Sequence, residues 1–335
     1  MITKKIFVAG GAGYCGSRLV PELLKKGYKV TVYDIMYFGY NFLPKNNPSL
    51  SIISGDIRDS KKIADSCKGH DIFVSLACIS NDTSFDLDED LSTSINLRAF
   101  EPMIKAAKSS GIKRFIYASS SSVYGVSDQK DVKEDHPLVP LTLYNKYKGL
   151  CEPILKEHTS NDFEGVIFRP ATVCGYAPRL RLDLSVNILT NFAVNKKKIV
   201  VFGGSQLRPN LHIEDYCSAI ECLINSPSDK IQNQTFNVGY QNLSISDIAN
   251  KVKKVVEDFF PKFGSINIET TPSDDNRSYH INSDKIRNEL GFVPKLTIED
   301  AVRDLCKAFD EGKIPNSFED DFYFNVKRLK RINAK

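Results

Sequence analysis

The chain opens with an apolar run, Lys5 to Gly10, that ends in glycines. Ser17 to Lys26 then takes up helical spacing, with Leu19, Val20, Leu23 and Leu24 on one side. Lys29 to Tyr33 predicts a second strand, closed by Asp34, and Leu50 to Ser54 a third. Asp71 to Ala77 is apolar without alternation, the pattern of a strand covered on both faces. Asp90 to Ser109 predicts one long helix, Arg114 to Ser119 a fifth strand, Leu143 to His158 a helix and Gly165 to Arg169 a sixth strand. Strands separated by helices predict an α/β fold: a doubly wound parallel sheet with right-handed crossovers.

After Pro170 the texture changes, and Pro, Asn and Arg become frequent. Helices are expected over Leu184–Val194, Ile213–Ile224, Ser246–Phe259 and Ile298–Phe309, and strands over Lys198–Phe202, Thr235–Val238 and Ile266–Thr270. No flexible linker divides the halves. The division expected is a first domain over 1–170, with later segments around 208–240 packing back onto it, and a smaller C-terminal α/β lobe over 171–335.

Composition narrows the class without naming it. Of 335 residues, 41% are hydrophobic and 26% charged, which is ordinary for a folded soluble protein. The net charge of +4 is spread along the chain, so no nucleic-acid partner is expected. The basic stretch Lys327 to Lys335 reads as a solvated tail. No apolar stretch is long enough for a membrane span and no secretory leader is apparent, so a cytoplasmic location is expected. The eight cysteines form no C-x-x-C pair; they read as buried small apolar residues, with no metal site.

Chemistry enters at Gly10-Gly11-Ala12-Gly13-Tyr14-Cys15-Gly16, between the first strand and the first helix. A dinucleotide pyrophosphate rests on the free N–H groups of a helix N-terminus, and side chains there would block its approach. Asp34 ends the next strand, placed to accept from both ribose hydroxyls of NAD and to repel the 2′-phosphate of NADP. This is the fingerprint of a Rossmann domain. Gly10, Gly13, Tyr14, Cys15, Gly16 and Asp34 are therefore candidate cofactor residues. Asp56 and Ile57 after the third strand, Leu76 and Ala77 ending the fourth, and Asn96 inside the long helix join them.

Tyr144 and Lys148 stand at i and i+4, on one helical face. A phenol ordinarily ionises near pH 10, and a neighbouring ammonium together with a positive nicotinamide ring favours its phenolate. Ser119 to Ser122 ends the fifth strand and offers hydroxyls to a substrate oxygen.

With these residues in view, the chain resembles the extended short-chain dehydrogenase/reductases, the NAD-dependent epimerase/dehydratases acting on nucleotide sugars. The segments Arg169 to Gly175, Arg208 to Asp215, Phe236 to Gly239 and Lys285 to Phe292 extend the resemblance over nearly the whole chain. It implies Ser120, Tyr144 and Lys148 as the catalytic set, the last two also touching NAD. It implies substrate contacts from Ser80, Ser120, Ser121, Ser122, Thr172, Arg179, Arg181, Asn187, Arg208, Asp275 and Arg277. The family's dehydratases carry an Asp-Glu pair directly after the catalytic Thr, where this chain has Ser121 and Ser122, which argues against loss of water. Thr172 stands where epimerases often have Asn.

The expectation is an NAD-dependent nucleotide-sugar 4-epimerase. A nucleotide-sugar 4-dehydrogenase or 4-ketoreductase uses the same residues, and a non-catalytic NAD-binding scaffold is the reading from another class. The family generally dimerises through helices corresponding to Asp90–Ser109 and Leu143–His158, so a homodimer is implied.

Overall fold

A computed structural model of the chain describes residues 3–80, 84, 87–127, 129, 131–272 and 278–335. Its centre is a sheet of seven parallel strands: β1 (Lys5–Ala9), β2 (Lys29–Asp34), β3 (Leu50–Ser54), β4 (Ile72–Ser75), β5 (Arg114–Ala118), β6 (Glu164–Pro170) and β10 (Thr235–Val238). Their spatial order is β3-β2-β1-β4-β5-β6-β10. The order reverses between β1 and β4, so the connections leaving these two strands part to opposite faces and open a crevice at their C-terminal ends. Ile6, Phe7, Val8 and Ala9 of β1 are all buried, as are the four residues of β4, so each strand is covered on both faces. The two faces nucleate separate clusters. One is built on Ile6, Val8, Leu19 and Leu23, the other on Phe7, Phe73, Phe115 and Met103.

The smaller lobe carries two further sheets. β7 (Thr172–Cys174) and β11 (Gln241–Ser244) flank β9 (Leu207–His212), while β8 (Lys198–Phe202) pairs in parallel with β12 (Asn267–Thr271). Helices Ser185–Lys196, Ile245–Phe259 and Ile298–Asp310 pack around these strands, and Ser244 and Thr297 cap the last two where they start. Thr297 and Asp300 form a reciprocal capping box at the last of them.

Strands β7, β9 and β11 were not expected from the sequence, and two helical regions of the first domain depart from its pattern. A helix over Ser60–Cys67, capped by Asp59, was not signalled by apolar spacing, because only Ile63 and Cys67 are buried in it. The long helix expected over Asp90–Ser109 is broken: Glu89–Thr93 and Phe100–Ser109 are α-helical, and Ser94–Arg98 is a π-helical turn. Pro102, which has no N–H to give, lies just beyond the break.

The tail also differs from expectation. Instead of a solvated basic stretch, Asn325–Arg331 is helical, with Asn325 and Leu329 buried one turn apart. Between them Lys327 is exposed, whereas Arg328 turns to the Tyr37 carbonyl and Asp321.

Candidate active site

A cavity of about 690 Å³ occupies the crevice and continues into the smaller lobe. Its floor is the glycine loop. Gly10 has a φ of +84°, and a Cβ there would lie 2.5 Å from the backbone nitrogen of Ala77. A Cβ on Gly16 would lie 2.5 Å from the Gly10 carbonyl. Both glycines are thus required by the chain's own packing. Gly13 is different: a Cβ there would meet only the Gly10 oxygen, at 3.3 Å. Its bareness leaves the approach to the helix N-terminus clear. That helix, Tyr14–Lys25, has no side-chain cap and no acid in its first turn, so its leading N–H groups suit an anion.

Asp34 sits beside the loop. Its carboxylate accepts from Ala12 N at 3.0 Å and from Met36 N at 2.8 Å, one bond to each oxygen. Each oxygen keeps a lone pair for a ribose hydroxyl. Burial pushes this carboxyl above its ordinary value, against the pull of those two N–H groups. Ile57, Leu76 and Ala77 line the same end of the cavity. Asp56 lines it too, but Arg58 holds its carboxylate through both Nε and Nη2. Cys15 faces the cavity with its thiol pushed up to about 12 by burial, so it stays protonated there.

Tyr144, Lys148 and Ser120 converge on the cavity wall where β5 ends. Thr142 caps the Leu143–His158 helix, accepting from Asn145 N, and so fixes Tyr144 in the first turn with Lys148 one turn later. The Lys148 ammonium donates to the Ala118 carbonyl at 2.7 Å and stands 5.2 Å from the Tyr117 ring centre. Ser120 Oγ lies 2.7 Å from Ser122 Oγ, which in turn donates to Asn145 Oδ1 at 2.5 Å. Behind this wall Glu152 accepts from Ser119 and takes Arg169 by two bonds, anchoring the serine turn to β6.

Three expected residues act through others. Asn96 does not line the cavity: the π-helical turn aims its amide at Ile79, bonding both the N–H and the carbonyl of that residue at 2.8 Å. Asn187 is wholly buried, its amide spent on Gly175 N, the Tyr14 hydroxyl and the Arg181 carbonyl. Tyr14 donates to the Gly175 carbonyl at 2.6 Å and so ties the glycine loop to the smaller lobe, while its ring edges the cavity.

Arg179 and Arg181 both line the cavity and both are buried. Arg181 is held by Asp183 and donates to Ser80 Oγ at 2.9 Å. Arg179 lies on the cofactor side. Its guanidinium stacks 3.5 Å from the Phe38 ring centre, and its backbone N–H donates to Ser17. Burial, followed by the charge of Arg181, pulls it down to about 9. Its Nε is buried with no hydrogen-bond partner. A buried cation with an unsatisfied donor beside a bare helix N-terminus fits a pyrophosphate. Ser121, Ser122, Thr172 and Arg208 line the cavity farther along, toward an apolar end made by Ile188, Phe192, Val200 and Phe202. Asp275 and Arg277 lie outside the described residues.

The NAD dependent epimerase/dehydratase family model matches residues 6–239. The chain belongs to that family. It is an NAD-dependent enzyme of oxidoreductase type, built on the family's Rossmann sheet. Over 94% of its length it is 26% identical to a UDP-glucose 4-epimerase of Lactobacillus helveticus, covering 99% of that protein. It is 30% identical, over 71% of its length, to the uncharacterized protein y4nG of Sinorhizobium fredii, and there spans 57% of the relative. Its fold superposes with a TM-score of 0.80 on DesIV, a dTDP-glucose 4,6-dehydratase of Streptomyces venezuelae crystallised with NAD bound, at 21% identity over 92% of this chain and 98% of that one.

Tyr37, Phe38, Asn145, Asp183, Tyr279 and Asn325 also line the cavity and were not expected from sequence. The alternation Arg179-x-Arg181-x-Asp183 is the one local signal that points to any of them. Asn325 had none, since its partners are more than a hundred residues away.

Proposed function

We propose that this protein is an NAD-dependent nucleotide-sugar 4-epimerase. One observation carries the reading: the cavity joins the glycine loop, the Ser120–Tyr144–Lys148 wall and the Arg208 end in a single chamber, and the serine turn brings no acid to it. Among the described residues, the carboxylates lining that chamber are Asp34, Asp56 and Asp183. The first is bound to backbone N–H groups beside the glycine loop, and the other two are paired with arginines. Expulsion of a sugar hydroxyl as water needs an acid beside the leaving oxygen. Ser121 and Ser122 stand on that turn and cannot supply one.

NAD supplies the hydride acceptor and donor when bound. Tyr144 takes the proton from the sugar 4-hydroxyl as the carbon is oxidised, and returns it when the carbon is reduced on its other face. Lys148 holds positive charge beside the phenolate, and Ser120 orients the sugar oxygen. Arg208 grips the diphosphate by its planar fork. The relatives named above, a UDP-glucose 4-epimerase and a dTDP-glucose 4,6-dehydratase, support a nucleotide-diphosphate sugar as substrate.

The test is to incubate the purified protein, with no NAD added, with UDP-, dTDP-, GDP- and CDP-hexoses and to separate the products. Interconversion of C4 epimers is the expected result. Stoichiometric NADH use with a 4-keto sugar would make it a reductase, and a 4-keto-6-deoxy product would make it a dehydratase; either overturns the reading.

A further inference from the structure

Beyond the Ile298–Asp310 helix the chain turns back across the mouth of the cleft. Asp321–Tyr323 forms one 3-10 turn and Asn325–Arg331 a short helix. Asn325 stands where this stretch meets the cavity. Its Oδ1 accepts from Arg179, its Nδ2 donates to Ser80 Oγ at 2.9 Å, and its backbone N–H donates to Asp183 at 3.2 Å. Two loops of the cleft, one carrying Ser80 and the other Arg179 and Asp183, are thereby fastened to one residue.

The fastening continues toward the end where Asp34 lies. Arg328 Nε donates to the Tyr37 carbonyl at 2.7 Å. The Tyr37 hydroxyl donates to the Lys335 carbonyl at 2.7 Å, and Arg58 donates to the same oxygen at 2.8 Å. Leu329 and Ala334 pack into the cluster on the Phe7 face of the sheet. Phe322 meets Phe42 edge to face at 6.0 Å, and Asp321 holds Arg328 and Arg331 from within the stretch. The loop so covered carries Ile35, Tyr37 and Phe38 along the cavity, immediately after Asp34.

We propose that residues 321–335 are a strap across the adenosine end of NAD, with Asn325 the positioning residue that sets Arg179 beside the cofactor, so that NAD stays bound from one turnover to the next. Release requires the loop over residues 35–38 or the strap to swing out, and the two are bonded to each other at several points. Such openings are as slow as the set of contacts that must break together. The inference rests on the epimerase reading. An isomerisation that returns its hydride has no need to exchange the carrier, whereas a net reductase must exchange it every cycle.

The test is the rate at which bound NAD leaves. Protein loaded with NAD is mixed with excess etheno-NAD, and the exchange is followed by fluorescence. In the Asn325→Ala/Arg328→Ala double variant, release is expected to quicken about tenfold or more, the effect of losing a charge-assisted hydrogen bond. Arg331→Ala, whose side chain is mostly exposed and pairs with Asp321 inside the strap, serves as the control and should release NAD at the wild-type rate. An unchanged release rate in the folded double variant overturns the strap. A measurement on the wild type does not depend on the variant folding. Addition of NAD should slow hydrogen exchange at the amides of 325–335 and 36–38, and unaltered exchange there overturns the proposal equally. A wild-type protein that binds no NAD would overturn the cofactor reading along with it, an outcome distinct from NAD that binds but exchanges freely.

Discussion

Tyr144→Phe removes a single oxygen and leaves the ring in the cavity wall. With general acid–base catalysis worth roughly 10²- to 10⁴-fold, turnover is expected to fall by that factor. The NAD content of the purified protein should not change, because the glycine loop and Asp34 are untouched; loss of bound NAD in this variant would argue against the assigned role. Asp34 carries a prediction of its own. Its carboxyl must be ionised to accept both ribose hydroxyls, and burial raises it above the ordinary value of 3.8. Lowering the pH protonates it sooner than it would an exposed aspartate. NAD affinity measured by calorimetry should therefore weaken on an acid limb that begins above that value. The limb should be absent from Asp34→Asn, whose affinity is low throughout.

At the scale of elements, the glycine loop was legible because everything it needs is local: a strand, three glycines, a helix and an acid at the end of the next strand. The same holds for Tyr144 and Lys148, one turn apart on a helix whose cap, Thr142, precedes them. Asn96 and Asn187 were legible as candidate cofactor and substrate residues but not as braces, because their partners, Ile79 and Tyr14, are brought to them only by the fold. The π-helical turn was hidden for a related reason. Apolar spacing over Asp90–Ser109 is compatible with a continuous helix, and only the packing around Ile79 calls for the extra residue. The loop's tolerance is easily checked. Gly16→Ala sets a methyl against the Gly10 carbonyl and the Gly11 backbone, neither of which can retreat. Overpacking of this kind destabilises by about 1–3 kcal/mol. Urea unfolding of the NAD-free protein should show it, and Gly13→Ala should be milder in the same assay.

Across the whole molecule, the two lobes share one chamber, and a buried polar network braces the first lobe's wall of it. Glu152 and Arg169 form a buried ion pair that links the Leu143–His158 helix to β6, and Ser119 and Tyr124 complete the network. Removing one partner of such a pair strands the other's charge, at a cost of about 3–5 kcal/mol. Glu152→Ala should lose that much by chemical denaturation and shift the serine turn with it. The outer face of the same helix bears Leu150, 43% exposed, whereas Ile104 of the neighbouring Phe100–Ser109 helix is wholly buried in its own core. If two copies pair through these helices, Leu150 lies in the interface. Light scattering should then report a dimer for the wild type and a monomer for Leu150→Glu; a wild-type monomer would dismiss the pairing.

The strap gives the order of synthesis a meaning. The glycine loop leaves the ribosome roughly three hundred residues ahead of Asn325. At about 5–20 residues per second, the nascent Rossmann strands wait tens of seconds for the segment that fastens Arg179 and the Tyr37 loop. A cofactor captured early would sit in an unfastened cleft and come and go. Stable loading with NAD therefore waits until the strap has been made, and cellular NAD at that moment decides how much of the protein becomes holoenzyme.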